Sequence, residues 1–341
     1  VQLRYPLRWI LLLAAFAGVL VAAATLGAPI PLTDLWSADA EKVGVARRIF
    51  LWTEDGWGLR PVRLLAGLLV GASLASSGAA LQAVFRNPLA EPYLLGISAG
   101  GALGATIAAA FDLPVLAGFD PASLLAFLGA LAASGLIYQL GQARALQGRG
   151  LQGFDRSTLL LIGVAISAFL GALMSLVVAL SNRADLAQRT MFWLLGSLTR
   201  ATPAQNWVLT ISLLLGLAIL LSSARDLHAM QVGDEEALSL GVPIKSVHRK
   251  LLLVAALMSA AAVAAAGLIG FVGLLAPHLM RLLFGTNPRA VLPATAIGGA
   301  TLLLACDAIA RSAVPEIEIP VGIITALLGV PLFLLLTLRS R

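Results

Sequence analysis

Apolar residues run almost unbroken through ten stretches of this chain, at about 8–28, 60–84, 93–111, 121–141, 157–180, 205–223, 247–267, 270–284, 290–310 and 319–338. A helix needs roughly 20 apolar residues to cross a bilayer. A transmembrane barrel would show short alternating segments instead. The pattern predicts an all-α polytopic membrane protein of about ten helices, one transmembrane domain over residues 1–341. The eighth stretch is short, with Gly-rich flanks and Pro277 interrupting it. Such a broken segment is tolerated only against protein or a cavity. The first run follows Arg4 and Arg8. A cleaved signal peptide is the alternative reading, but the run exceeds the roughly 7–15 residues of a signal's apolar core, so it is read as a span.

Small residues recur at four-residue spacing: Gly67, Gly71, Ala75 and Ala79 in the second span, Gly100, Gly104 and Ala108 in the third, and Gly163, Ser167, Gly171 and Ser175 in the fifth. Faces of this kind let helix backbones approach closely in lipid.

Composition agrees with the pattern. The chain is 59% hydrophobic and 12% charged, with a mean hydropathy of +0.94; soluble domains average about 25% charged. The net charge of +6 is scattered singly between apolar spans, which argues for topology and against nucleic acid. An even number of spans puts both termini on one side. That side carries 14 basic and six acidic residues, the other nine basic and 11 acidic, so the first is cytoplasmic. The single cysteine, Cys306, forms no internal disulfide and leaves the redox compartment open.

Two loops stand out. The outer loop, about 29–59, is long and mixed and predicts a short surface helix. The inner loop, about 224–246, reads "ARDLHAMQVGDEEALSLGVPIKS". Ala229, Val232, Leu238 and Leu240 fall on one apolar helical face, with Gly241 and Pro243 ending the helix. It is either a solvated connector or a docking element.

"GISAG", Gly96 to Gly100, matches the G-x-S-x-G nucleophile elbow on paper. That elbow needs a strand before it and a helix after it. Here the Pro-punctuated turn "RNPLAEP" joins two apolar helices, which removes the soluble hydrolase. An intramembrane serine protease using Ser98 and His278 is the remaining enzymatic alternative; close helix packing is the simpler reading.

"FRNPLAEPYLLGISAGGALGA" resembles the signature of the FecCD family, permease subunits of ABC importers for iron chelates, haem and cobalamin. "LRPVRLLAGLLVGASLASSGAALQ", "FWLLGSL", "GDEEALSLGV", "AGLIGFVGLLAPHLMRLL" and "EIPVGIITALLGVPLFLLLTLRS" extend the resemblance, in order, through most of the chain. It implies a type II importer permease fold, a homodimer with the path along its axis, two cytoplasmic ATP-binding subunits, a periplasmic binding protein and a place in the bacterial inner membrane. This chain has no G-x-x-x-x-G-K-[ST] stretch. It is therefore read as a transport subunit, not an enzyme, binding no cofactor itself, with ATP and Mg on the partner ATPase.

The resemblance assigns roles to residues. Arg60, Arg63 and Arg311 match outer positions that dock the binding protein; interfacial anchoring, or pairing with Asp307 or Glu316, is the alternative. Gly233, Asp234, Glu235, Glu236, Ala237, Leu238, Leu240 and Gly241 form the ATPase-coupling element. Met174, Met191, Phe192 and Trp193 line the path or, equally, pack in the core. Asn87, Asp155, Arg156, Ser157 and Thr158 form an inner gate. The expected cargo is a bulky metal chelate, haem or ferric siderophore before cobalamin, on family frequency alone.

Overall fold

The computed structural model describes residues 5–27, 32–37, 39–53, 56–115, 120–147, 156–314 and 317–339. Helix α1 (Tyr5–Thr25) is followed by a 3₁₀ turn (Leu32–Trp36), α2 (Ala40–Phe50) and a small hairpin pairing Trp52–Thr53 with Gly56–Trp57. The expected surface helix of the outer loop is α2. Then come α3 (Leu59–Phe85), α4 (Ile97–Ala110), α5 (Pro121–Gln147), α6 (Arg156–Leu180), α7 (Leu186–Leu194) and α8 (Pro203–Ser222). Two short inner helices, α9 (Ala224–Met230) and α10 (Asp234–Ser239), precede α11 (Ile244–Ala266), α12 (Val272–Phe284), α13 (Pro288–Ser312) and α14 (Val321–Arg339). Each of the ten expected spans carries one helix: seven are long and apolar enough to cross a membrane, and three (α4, α12, α14) are shorter.

Local sequence sets the ends. Thr202 and Gln205 make a reciprocal capping box at α8, with Pro203 in the first turn. Asn287 accepts from the Arg289 N–H to start α13. Arg86, in the left-handed region at φ 47°, ends α3.

Helix α3 is the hub, packed on α13, α11, α12 and α8, and 83% of its apolar window is buried. The small-residue stripes explain the closeness. A Cβ on Gly71 would overlap the Gly299 carbonyl of α13, and one on Gly78 the Gly273 carbonyl of α12. Gly100 and Gly104 do the same for α4 against Gly129 and Leu125 of α5. Helix α6 is the opposite case, with only 6% of its window buried. Its stripe is half used: Gly163 lies against the Leu94 carbonyl, while nothing lies within 4 Å of a Cβ at Gly171.

Pro277 does not interrupt the eighth span; it lies inside a continuous α12. The carbonyl its missing N–H leaves free, four residues back at Gly273, accepts from Gln82 Nε2 at 3.3 Å. The break comes earlier, at residues 267–271, where Gly267 and Phe271 have φ of 70° and 67°. Non-helical backbone at this depth must find partners in protein. The Pro92–Leu95 turn before α4 supplies them: Ile269 N–H donates to Tyr93 Oη (2.7 Å) and Phe271 N–H to Glu91 Oε1 (2.6 Å).

Candidate functional site

At the outer end, α1, α3 and α13 converge. Arg60 donates to the carbonyls of Ala23 (3.0 Å) and Leu26, and Arg311 to the same two carbonyls at 2.9 and 3.0 Å. Cations thus close the C-terminus of α1, where unpaired carbonyls accumulate. Gly27, at φ 62°, lets the chain turn directly over the Arg311 backbone. Asp307, almost wholly buried, accepts from Arg63 Nη2 at 2.7 Å and Arg311 Nε at 3.0 Å, and Arg63 also pairs with Glu318. The three arginines lie together and are engaged internally. The alternative pairing with Asp307 is what the structure contains; Glu316 lies outside the described residues, and Glu318 takes the neighbouring place.

The short helix α7 carries Met191 and Phe192, 61% and 51% exposed, and the half-buried Trp193. Met174 is half-buried on α6. The exposed pair does not pack in this chain's core.

The inner loop holds two helices, not one, because Gln231–Gly233 separates them; Gly233 is buried with extended backbone. Ala237 is fully buried, and with Leu227, Met230 and Val242 it anchors the pair to the helix bundle. Val232, Leu238 and Leu240 point away, at 77%, 58% and 73% exposed. Ala229 is half-buried and so leaves the expected apolar face. Gly241, at φ 82°, turns the chain after α10. Glu235 and Glu236 are exposed. Asp234 pairs with Arg86 (2.8 Å), whose guanidinium also donates to the Met230 carbonyl (2.8 Å). Arg86 therefore joins the end of α3 to both inner helices.

Of the inner-gate residues, Asn87 accepts from the Leu89 N–H (2.9 Å) and shapes the turn after α3. Arg156, Ser157 and Thr158 open α6, and Asp155 lies outside the described residues. Ser98, in the first turn of α4, makes no hydrogen bond with His278 among the described residues, and α4 packs chiefly on α5, α6, α7 and α11. Sequence reasoning missed the Arg86 strut, Glu318 and the Glu91–Phe271 contact. A basic residue closing a long apolar helix and an acid opening the inner loop were the available signals for the first.

These features define a class: a polytopic, all-helical transport subunit with the permease fold of a type II ABC importer. The chain belongs to the FecCD transport family, whose model matches residues 9–339. It is 44% identical over 286 residues to the hemin transport system permease protein HmuU of Yersinia pestis, covering 83% of each chain. It is 38% identical over 341 residues to the vitamin B12 import system permease protein BtuC of Klebsiella pneumoniae, covering 100% of this chain and 96% of that one. A solved structure described as an inward-facing conformation of a metal-chelate type ABC transporter matches with a TM-score of 0.81 and 31% identity, over 98% of this chain and all of the other.

Proposed function

We propose that this chain is the membrane pathway of an ATP-driven importer carrying a bulky metal chelate from periplasm to cytoplasm. The observation that carries this is the inner loop. Val232, Leu238 and Leu240 stand out of the bundle on helices whose buried side is tied by Ala237 and Arg86 to the central helix α3. An apolar tip on a rigid strut suits a cleft on a partner that moves. Two cytoplasmic ATP-binding subunits, holding ATP and Mg, supply that motion, because no phosphate-loop motif occurs in this sequence.

A second copy of the chain completes the path. The uncovered face of α6, with its open Gly171, and the exposed Met191 and Phe192 of α7 support this. Met174 and Trp193 extend the wall, and Asn87 with the start of α6 forms the inner gate. The protein sits in the bacterial inner membrane with both termini cytoplasmic.

A periplasmic binding protein docks at the outer end. In this reading docking is an exchange: an incoming carboxylate replaces Glu318 on Arg63, while Arg60 and Arg311 hold the frame. Haem leads as cargo on the likeness to the hemin permease, with ferric siderophore and cobalamin as the alternatives. Purifying the complex with its binding protein and identifying the ligand that accompanies it tests the cargo; recovery of an amino acid or sugar in place of a metal chelate would reject it.

A further inference from the structure

Behind α7, on the side formed by the C-terminus of α4 and the N-terminus of α5, lies a cavity of about 480 Å³. Ligand pockets commonly span about 300–1,000 Å³. The charge count places it at the outer end, in reach of the path along Met191 and Phe192. Its charged residues other than Arg200 each have a partner among the described residues, and Asp120 lines a small recess beside the cavity as well. Arg189 pairs with Asp185 (2.6 Å), and Asp112 with Arg183 (3.0 Å). Asp120 accepts from the N–H and Oγ of Ser123 and so caps α5. Arg200 is different: it is exposed, has no hydrogen-bond or ion-pair partner among the described residues, and lines both this cavity and the same recess.

Between the two spaces stands Trp193, which lines both. Its ring is held in place by α4, since a Cβ on Gly101 would come within 3.3 Å of ring atom Cη2. A fixed aromatic wall beside one uncommitted guanidinium recognises a specific chemistry. The guanidinium takes a carboxylate bidentately, and the indole takes an apolar edge or face.

We propose that this outer cavity is a weak carboxylate-reading site, in which Arg200 holds the acid groups of a flat or macrocyclic chelate while Trp193 packs on its ring. This rests on the chain being a chelate pathway and favours acid-bearing chelates as cargo; the amide side chains of a corrinoid can accept from Arg200 but without the charge assistance a carboxylate adds. Arg200 is a specificity-determining residue here.

The test uses the assembled permease–ATPase complex in lipid nanodiscs, with empty nanodiscs subtracted. The probes are water-soluble porphyrins bearing four carboxylates or four fixed cations, and binding is read by equilibrium dialysis. Wild type should prefer the carboxylated probe. Arg200→Gln should weaken that probe about tenfold, the size of a charge-assisted hydrogen bond, and leave the cationic probe unchanged. Arg200→Glu should reverse the preference, a gain that misfolding does not produce. Equal binding of the carboxylated probe by wild type and Arg200→Gln overturns the site. ATP-driven haem uptake into proteoliposomes, measured in parallel, separates the two readings. Uptake without any Arg200 effect on binding removes the site and keeps the pathway; Arg200-dependent binding without uptake of any chelate removes the pathway and keeps the site.

Discussion

Asp307 is shared by two arginines from different helices, Arg63 and Arg311, while almost wholly out of solvent. Removing one partner of a buried charge pair leaves the others uncompensated, at a cost of about 3–5 kcal/mol. Asp307→Asn should therefore destabilise the detergent-solubilised protein by about that amount in denaturant unfolding; a loss below about 1 kcal/mol would mean solvent already screens the cluster. Glu91 makes a second long-range tie, its Oε1 accepting from the Phe271 N–H at 2.6 Å. Neither pairing was legible in the sequence. Arg63 and Asp307 are 244 positions apart, and Glu91 and Phe271 180, and no periodicity within one helix predicts which distant loop a carboxylate meets.

Helices, by contrast, were legible. Each of the ten apolar runs became a helix, because length and composition suffice where the backbone must satisfy itself. The small-residue stripes of α3 and α4 gave their contact faces, though not their partners. Pro277 misled because a proline costs a helix its hydrogen bond only if nothing else reaches the freed carbonyl, and Gln82, from another helix, does. The split between α9 and α10 was hidden because Gln231–Gly233 continues the apolar spacing while its backbone does not continue the helix. A prediction at this scale contrasts two glycines. Gly78→Ala drives a methyl into the Gly273 backbone, whereas nothing lies within 4 Å of a Cβ at Gly18 in α1. The first should cost about 1–3 kcal/mol and reduce the yield of folded protein, and the second should be neutral or slightly stabilising. Equal yields and melting temperatures for the two variants would show that α3 and α12 are free to separate.

For the whole molecule, the central claim is that inner-loop motion, driven by a partner's ATP cycle, opens a path for a chelate. Both ends of α3 are tied: its outer end through Arg63 to Asp307 and Glu318, and its inner end through Arg86 to α9 and α10. Under the proposed function, a push on Leu238 and Leu240 would be delivered through this tie to α3. The direct test is uptake of ferric protoporphyrin by proteoliposomes holding the permease, its ATPase and its binding protein, with ATP on the ATPase side. The predicted result is uptake that needs ATP, survives Glu235→Ala and Glu236→Ala, and is lost in Leu240→Asp together with co-purification of the ATPase. Uptake that proceeds without ATP, or at the wild-type rate in Leu240→Asp, would contradict it.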